Sequence, residues 1–318
     1  MTGSQVGPHR LAGAAELALA SLLAVGLFAA GGAFPVLGVT LSLLAPVPLV
    51  LLSLRHGRLA LFLGLALAAT GLLGLLSARQ SLVFLLEFGA AAVAVEECLR
   101  REWRTEVTVL VVTAVLLVGG IGVLMLASGS WAHPGRAIGE HLDAMLADAE
   151  QLSAQLGLVD GPGGLQPARQ FRSALLAAFP GLLFIGSLLT AAGYVVVIQG
   201  LRRRWVPQLG PGPASVFHWE LPEVLVWGFI AAGICYISGV PVLAAIGLNG
   251  LLVFLALYFV QGLCIAAFLF RRFQLPRFLA TLSVVLLVFQ PFFVLLVAGL
   301  GLFDVWFGFR RLSLPKPR

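Results

Sequence analysis

Residues 106–127 read EVTVLVVTAVLLVGGIGVLMLA. After Glu106 the stretch carries no ionisable side chain. At about 1.5 Å per residue, a helix of this length spans about 30 Å, the thickness of a bilayer's hydrocarbon core. Arg100, Arg101 and Arg104 stand just before it, where basic side chains mark the cytoplasmic end of a span. Eight more apolar runs obey the same rule, at 11–31, 34–54, 59–78, 81–99, 173–199, 221–240, 242–270 and 277–309. The expected fold is all-α: a polytopic transmembrane helix bundle of about 8–9 membrane segments with one extracytoplasmic amphipathic helix.

Composition points the same way. Of 318 residues, 60% are hydrophobic and 11% charged, with a mean hydropathy of +1.02. Soluble domains carry about 25% charge and about 45–50% apolar residues. A soluble globular enzyme, a disordered chain and a disulfide scaffold are excluded. The net charge of +6 comes from short arginine clusters at the ends of apolar runs. That is a topology signal, and no nucleic-acid partner is expected. Cys98, Cys235 and Cys264 lie in or beside apolar runs without CxxC spacing, so they read as buried small residues. The first run resembles a signal peptide in outline, but its length and the many later spans favour a retained helix.

Arginine placement sets the orientation. With the tail 1–10 in the cytoplasm, Arg10, Arg55, Arg58, Arg100, Arg101, Arg104, Arg202, Arg203, Arg204, Arg271, Arg272 and Arg277 fall inside. Arg79, Arg136, Arg169 and Arg172 fall outside. The basic tail 310–318, with Arg310, Arg311, Lys316 and Arg318, fits better inside than outside. That makes the last run a broken or re-entrant element, with Gln290-Pro291 near its middle. The chain therefore divides into a first five-segment group, 11–127, an outer loop, 128–172, and a second transmembrane group, 173–309. Within the loop, Ile138, Leu142, Met145, Ala149, Leu152 and Leu156 form a narrow apolar seam on a helix that begins near Pro134.

No catalytic, nucleotide or metal motif occurs: there is no GxxxxGK[ST] and no HExxH; no enzyme activity or cofactor is expected, with a membrane-embedded enzyme kept as a distant third reading. Polar groups inside apolar runs carry what functional signal there is, because a mid-bilayer charge costs roughly 2.5–3.5 kcal/mol. Glu87 is the foremost. On a regular helix its i+3, i+4, i+7 and i+11 neighbours are Ala90, Ala91, Ala94 and Cys98, a small face suited to packing against helices. Glu96 and Glu97 precede an arginine cluster and read as an interfacial charge network. Pro46-Val47-Pro48 should break the second run, which is tolerated only where backbone is buried in protein or lines a cavity. Asn249 and Gln261 are either solute contacts or interhelical hydrogen bonds. Glu220 and Glu223 suit a helix start, with Trp219 and Trp227 in the interfacial belt and His218 a lesser candidate. Asp304 reads as a structural pair with Arg311 at the membrane edge.

These features occur in one order: Pro46-Val47-Pro48 with Arg55-His56-Gly57, an outer amphipathic helix, Leu221-Pro222 with Trp227, Asn249, Gln261-Gly262, and a closing GLFDVWFGFR at 301–310. In this order the chain resembles the YybS-like family of multi-pass bacterial membrane proteins. The first six helices of that family are distantly similar to the substrate-binding subunits of energy-coupling-factor vitamin transporters, in which small-xxx-small patterns on the first helix dock the coupling subunit. Ala14/Ala18 and Ala20/Ala24 have that spacing. The resemblance implies a bacterial inner-membrane protein, transporter-like, that binds a small solute within the bundle. Glu87, Pro46, Pro48, Asn249 and Gln261 would line the site, and coupling or ATPase subunits would be partners besides the lipid bilayer. The alternative expectation is a non-transporting scaffold in envelope biogenesis.

Overall fold

The computed structural model of the chain describes residues 8–34, 37–128, 138–140, 142–145, 147–148, 166–205, 219–274, 276, 278–279, 282–283 and 290–308. The elements are α1 (Pro8–Ala33), α2 (Leu37–Ser42), α3 (Pro46–His56), α4 (Arg58–Leu75), α5 (Ala78–Val83), a π-helical turn (Phe84–Gly89), α6 (Ala90–Arg100), α7 (Thr105–Ser128), α8 (Gln166–Trp205), α9 (Val224–Ile237), α10 (Pro241–Arg272) and α11 (Pro291–Phe307). No strand occurs among the described residues. The protein is an all-α, multi-pass membrane protein.

Gly13–Ala33, α4, α7, Gln170–Arg202 and α10 are each long and apolar enough to cross a bilayer, and Thr40–His56, α9 and Phe292–Phe307 are shorter apolar helices. α5, the π turn and α6 run on without a break from Ala78 to Arg100. Leu59, Val118 and Trp227 are 71%, 72% and 72% exposed. Against lipid tails such exposure is favourable, whereas in water it would mark an aggregation hazard.

Two compact units divide the chain, residues 1–123 with 187–216, and residues 124–186 with 217–318. α8 thus contributes its first half to the second unit and its last part to the first.

In the first unit α1 packs on α2, α3 and α4, and α3 packs on α4 and α6. The core is aliphatic with small residues at the crossings: Ala24, Leu49, Val50, Ala68 and Leu72 are buried. Ser21 donates to the Gly64 carbonyl at 3.2 Å, joining α1 to α4. The second apolar run is interrupted, but not at its prolines. Leu44, Ala45 and Val47 donate to carbonyls three residues back, so tight 3₁₀-type turns fill 43–45 and Pro46 opens α3. Proline fits the first turn because its missing N–H has no partner there anyway. Gly57, at φ +96°, then turns the chain from α3 into α4.

In the second unit α10 packs on both α9 and α11. α10 and α11 cross in backbone contact: a Cβ on Gly262 would strike the Val297 carbonyl oxygen, and one on Gly301 the Tyr258 carbonyl oxygen. Close approach through small residues is the usual source of association where lipid removes the hydrophobic driving force between helices. α11 starts at Pro291, after an extended Gln290, so the last run is indeed divided at Gln290-Pro291. It ends at Gly308, whose left-handed conformation lets its N–H close onto the Asp304 carbonyl at 2.8 Å.

Of the loop 128–172, residues 138–140, 142–145 and 147–148 are helical. Ile138 and Leu142 are half-buried, while Met145, a seam position, is exposed. Asp143 on this stretch forms a two-point ion pair with Arg172 near the start of α8, at 2.6 and 2.7 Å. The described part is therefore held by a polar clamp rather than by the seam alone. Ala149, Leu152 and Leu156 lie outside the described residues.

Candidate functional site

Glu87 sits in the middle of the π-helical turn. Ala90 N–H reaches back five residues to the Leu85 carbonyl, the bond that defines such a turn. One extra residue per turn rotates every later position of the helix, so the small face read from regular spacing does not hold across it. Isolated π turns inside α-helices occur often at functional sites. This one is pinned from two sides. Phe84 and Phe88 flank Phe28 of α1 edge-on, with centroids 5.4 and 5.6 Å apart from it. On the other side Gly119 of α7 lies so close that a Cβ there would be 2.7 Å from the Leu86 carbonyl oxygen.

The carboxylate itself is half-buried, and among the described residues it has no hydrogen-bond or ion-pair partner. Tyr194 of α8 lies in the same unit as Glu87. Its hydroxyl is buried and lacks a hydrogen-bond partner among the described residues. Ser187, Ala191, Tyr194, Val195, Ile198 and Arg202 lie on the buried face of this part of α8, and the side-chain amide nitrogen of Gln199 is also buried, without a hydrogen-bond partner among the described residues. A carboxylate accepts and a phenol donates, so each of these two groups, without a hydrogen-bond partner among the described residues, can bond a small polar molecule.

Glu96 and Glu97 form the charge network expected of them. Glu96 is buried and pairs with Arg100, with Arg58 3.7 Å away; Glu97 pairs with Arg58 and Arg101. Arg100 also donates to the Ser53 carbonyl at 3.0 Å, tying α6 to α3. A second cluster joins Glu16 of α1 to Arg55 at 3.0 Å and to His56 at 2.6 Å. Glu16, like Tyr194, was not among the sequence candidates; its signal was an acid inside the first apolar run.

The polar residues of the second unit are bonded to protein. Asn249 donates to the Ala177 carbonyl at 2.8 Å and accepts the Gly181 N–H at 2.7 Å. An uninterrupted helix would bond those two backbone groups to each other, but Pro180 lies between them inside α8. Gln261 accepts the Leu221 N–H at 3.2 Å and donates to Asp304 at 3.3 Å. Asp304 thus pairs with a glutamine across α10 and α11; Arg310 and Arg311 lie outside the described residues, as does His218. Glu220 is exposed, and Glu223 precedes α9 without a side-chain cap bond. Trp227 is exposed as a belt residue would be, but Trp219 is buried in the core, a correction to its reading as a belt residue. Glu87, Tyr194, Pro46 and Pro48 thus lie in the first unit; Asn249 and Gln261 belong to the second. Among the described residues no group of three or more His, Cys, Asp or Glu side chains is placed to hold a metal.

Apolar helices of bilayer length, lipid-type exposure and glycine crossings define a polytopic α-helical membrane protein. Residues 22–305 match the family described as predicted membrane protein (DUF2232), and the chain belongs to that family. No curated protein and no solved structure matches it.

Proposed function

We propose that the protein is a transporter-like component of the bacterial inner membrane that binds a small solute beside Glu87. The observation that carries this reading is Glu87 together with Tyr194: two polar groups of one unit, each within an apolar helical stretch, neither bonded to another described residue. Such groups rarely persist in a bilayer without use, because each costs free energy unless it meets a partner. The chemistry of the two groups defines the solute class. Glu87 accepts N–H or O–H donors or a positive charge, and Tyr194 offers one donor. Asn249 and Gln261 have protein partners on their polar atoms, so this reading rests on Glu87 and Tyr194.

Arginine-rich ends at 55–58, 100–104 and 202–204 support a cytoplasmic N-terminus. Any ATP coupling would come from partner subunits, since the chain carries no GxxxxGK[ST] motif. The test is mass spectrometry of small molecules released from protein purified in mild detergent. A polar solute released by wild-type protein and absent from Glu87→Gln preparations of equal purity supports the reading. Identical small-molecule content in both preparations rejects it.

A further inference from the structure

We propose that the solute beside Glu87 is a small organic ammonium ion, which rests on the reading of Glu87 as a binding group and adds the charge of its ligand. Charge complementarity carries the assignment. In the first unit every other described carboxylate within a helix meets an arginine. Glu16 pairs with Arg55, Glu96 with Arg58 and Arg100, Glu97 with Arg58 and Arg101, and Glu106 with Arg104 at 3.5 Å. Glu102 stands in the exposed turn before α7, where water solvates it. Glu87 lies within an apolar stretch and has no cation within ion-pair distance among the described residues.

The elements packed on the π turn offer no countercharge. Phe28 of α1 and Gly119 of α7 touch it, and α4 packs beside it. Residues 17–33, 107–127 and 59–75 of those three helices carry no ionisable side chain. On its own helix the nearest cations are Arg79 and Arg100, about 12 and 20 Å away along the axis. Arg202 and Arg204 lie at the arginine-rich end of α8, and neither pairs with Glu87. The turn itself adds an acceptor and no donor. Ala90 N–H bonds the Leu85 and Glu87 carbonyls and passes over the Leu86 carbonyl, its ordinary α-helical partner. Acceptors select donors, and an ammonium group brings N–H donors together with the charge. A metal ion fits this set poorly. Calcium takes roughly six to eight oxygen ligands, and among the described residues no three His, Cys, Asp or Glu side chains converge. An alkylammonium needs one carboxylate for its charged end, and its hydrocarbon part suits an otherwise apolar helix.

The test is the melting temperature of the full chain, purified in mild detergent, with n-butylammonium, butyramide or butyrate added at equal concentration and equal ionic strength. The three probes are similar in size and differ in charge. Butylammonium should raise the melting temperature of wild type by at least about 2 °C, because a ligand held only by the folded state stabilises it. Butyramide and butyrate should not. The shift should vanish in Glu87→Gln and persist in Glu97→Gln, where the carboxylate already has its arginines. Equal response to the three probes overturns the proposal, as does the absence of any shift. A butylammonium shift that survives Glu87→Gln, or is lost in Glu97→Gln, overturns it too. A Glu87-dependent shift from butyramide or butyrate alone keeps Glu87 as a binding group and overturns only its cationic ligand. If Glu87→Gln does not purify folded, wild type decides alone: a butylammonium shift no larger than the other two overturns the proposal.

Discussion

Gly119 rests on the backbone of Glu87. A Cβ at position 119 would lie 3.3 Å from the Glu87 Cα and 2.7 Å from the Leu86 carbonyl oxygen. A glycine on one membrane helix therefore permits the π turn of another to approach, and that turn carries the half-buried carboxylate. The fold and the candidate site meet at this contact.

Gly119→Val should disrupt this contact. Overpacking of this kind costs about 1–3 kcal/mol, and the atoms it meets are backbone, which cannot swing away. Gly122→Ala, one turn on, has nothing within 4 Å of its new Cβ and should be neutral or stabilising by up to about 1 kcal/mol. Apparent melting temperature in detergent checks the pair. Equal tolerance of both changes would mean that α7 does not approach the turn.

Asn249 should be coupled to Pro180. Asn249→Ala should cost about 1–2 kcal/mol, since two interhelical hydrogen bonds to α8 are lost. In a Pro180→Ala background the helix can bond Gly181 to Ala177 directly, so the same change should cost much less. A double-mutant cycle on thermal stability measures the coupling. Strict additivity would show that Asn249 does not repair the proline gap.

Glu96 and Glu97 are adjacent in sequence but unequal in burial. Glu96→Leu should cost about 1–3 kcal/mol because it strips the Arg100 guanidinium of a buried partner. Glu97→Gln, at the more exposed pair with Arg101, should cost under about 1 kcal/mol, less still at high salt. Denaturation at two salt concentrations separates them, and a larger effect at Glu97 would reverse the assignment.

Orientation can be read at the two ends of Ala78–Arg100. In a background without the three native cysteines, Arg79→Cys should react with an impermeant thiol reagent in intact spheroplasts. Glu102→Cys, in the exposed turn before α7, should react only after lysis. The opposite pattern would place the N-terminus outside, and labelling of both in intact cells would mean that the stretch does not cross.

Five of the nine expected spans appear as helices long and apolar enough to cross, and they were legible because about twenty mostly apolar residues in a row have few other uses. The break at Gln290-Pro291 was legible for a similar reason: proline removes a donor wherever it stands. The break expected at Pro46 and Pro48 lies instead at 43–45, since proline is as compatible with the first turn of a helix as it is disruptive within one. The π turn was not legible. Nothing in Phe84-Leu85-Leu86-Glu87-Phe88-Gly89 separates it from an ordinary helix, and the residues that pack against it, Phe28 and Gly119, are distant in sequence. For Glu87, its place in an apolar run was readable; the buried, unbonded hydroxyl of Tyr194 was not, because burial within a unit built from distant segments leaves no mark on a helix that is apolar throughout. Asn249 and Gln261 looked alike whether they held a solute or a helix, and only their bonding partners distinguish the cases.

The most direct measurement is equilibrium binding of the released solute to wild type, Glu87→Gln, Tyr194→Phe and Glu97→Gln proteins of matched thermal stability. Glu87→Gln keeps shape and hydrogen-bonding capacity while removing the charge, so it should weaken binding by at least about tenfold, or about 1.4 kcal/mol. Tyr194→Phe should weaken it by a smaller factor through the loss of one hydrogen bond, and Glu97→Gln should match wild type. Wild-type affinity in both Glu87→Gln and Tyr194→Phe would contradict the assignment of the solute to this site.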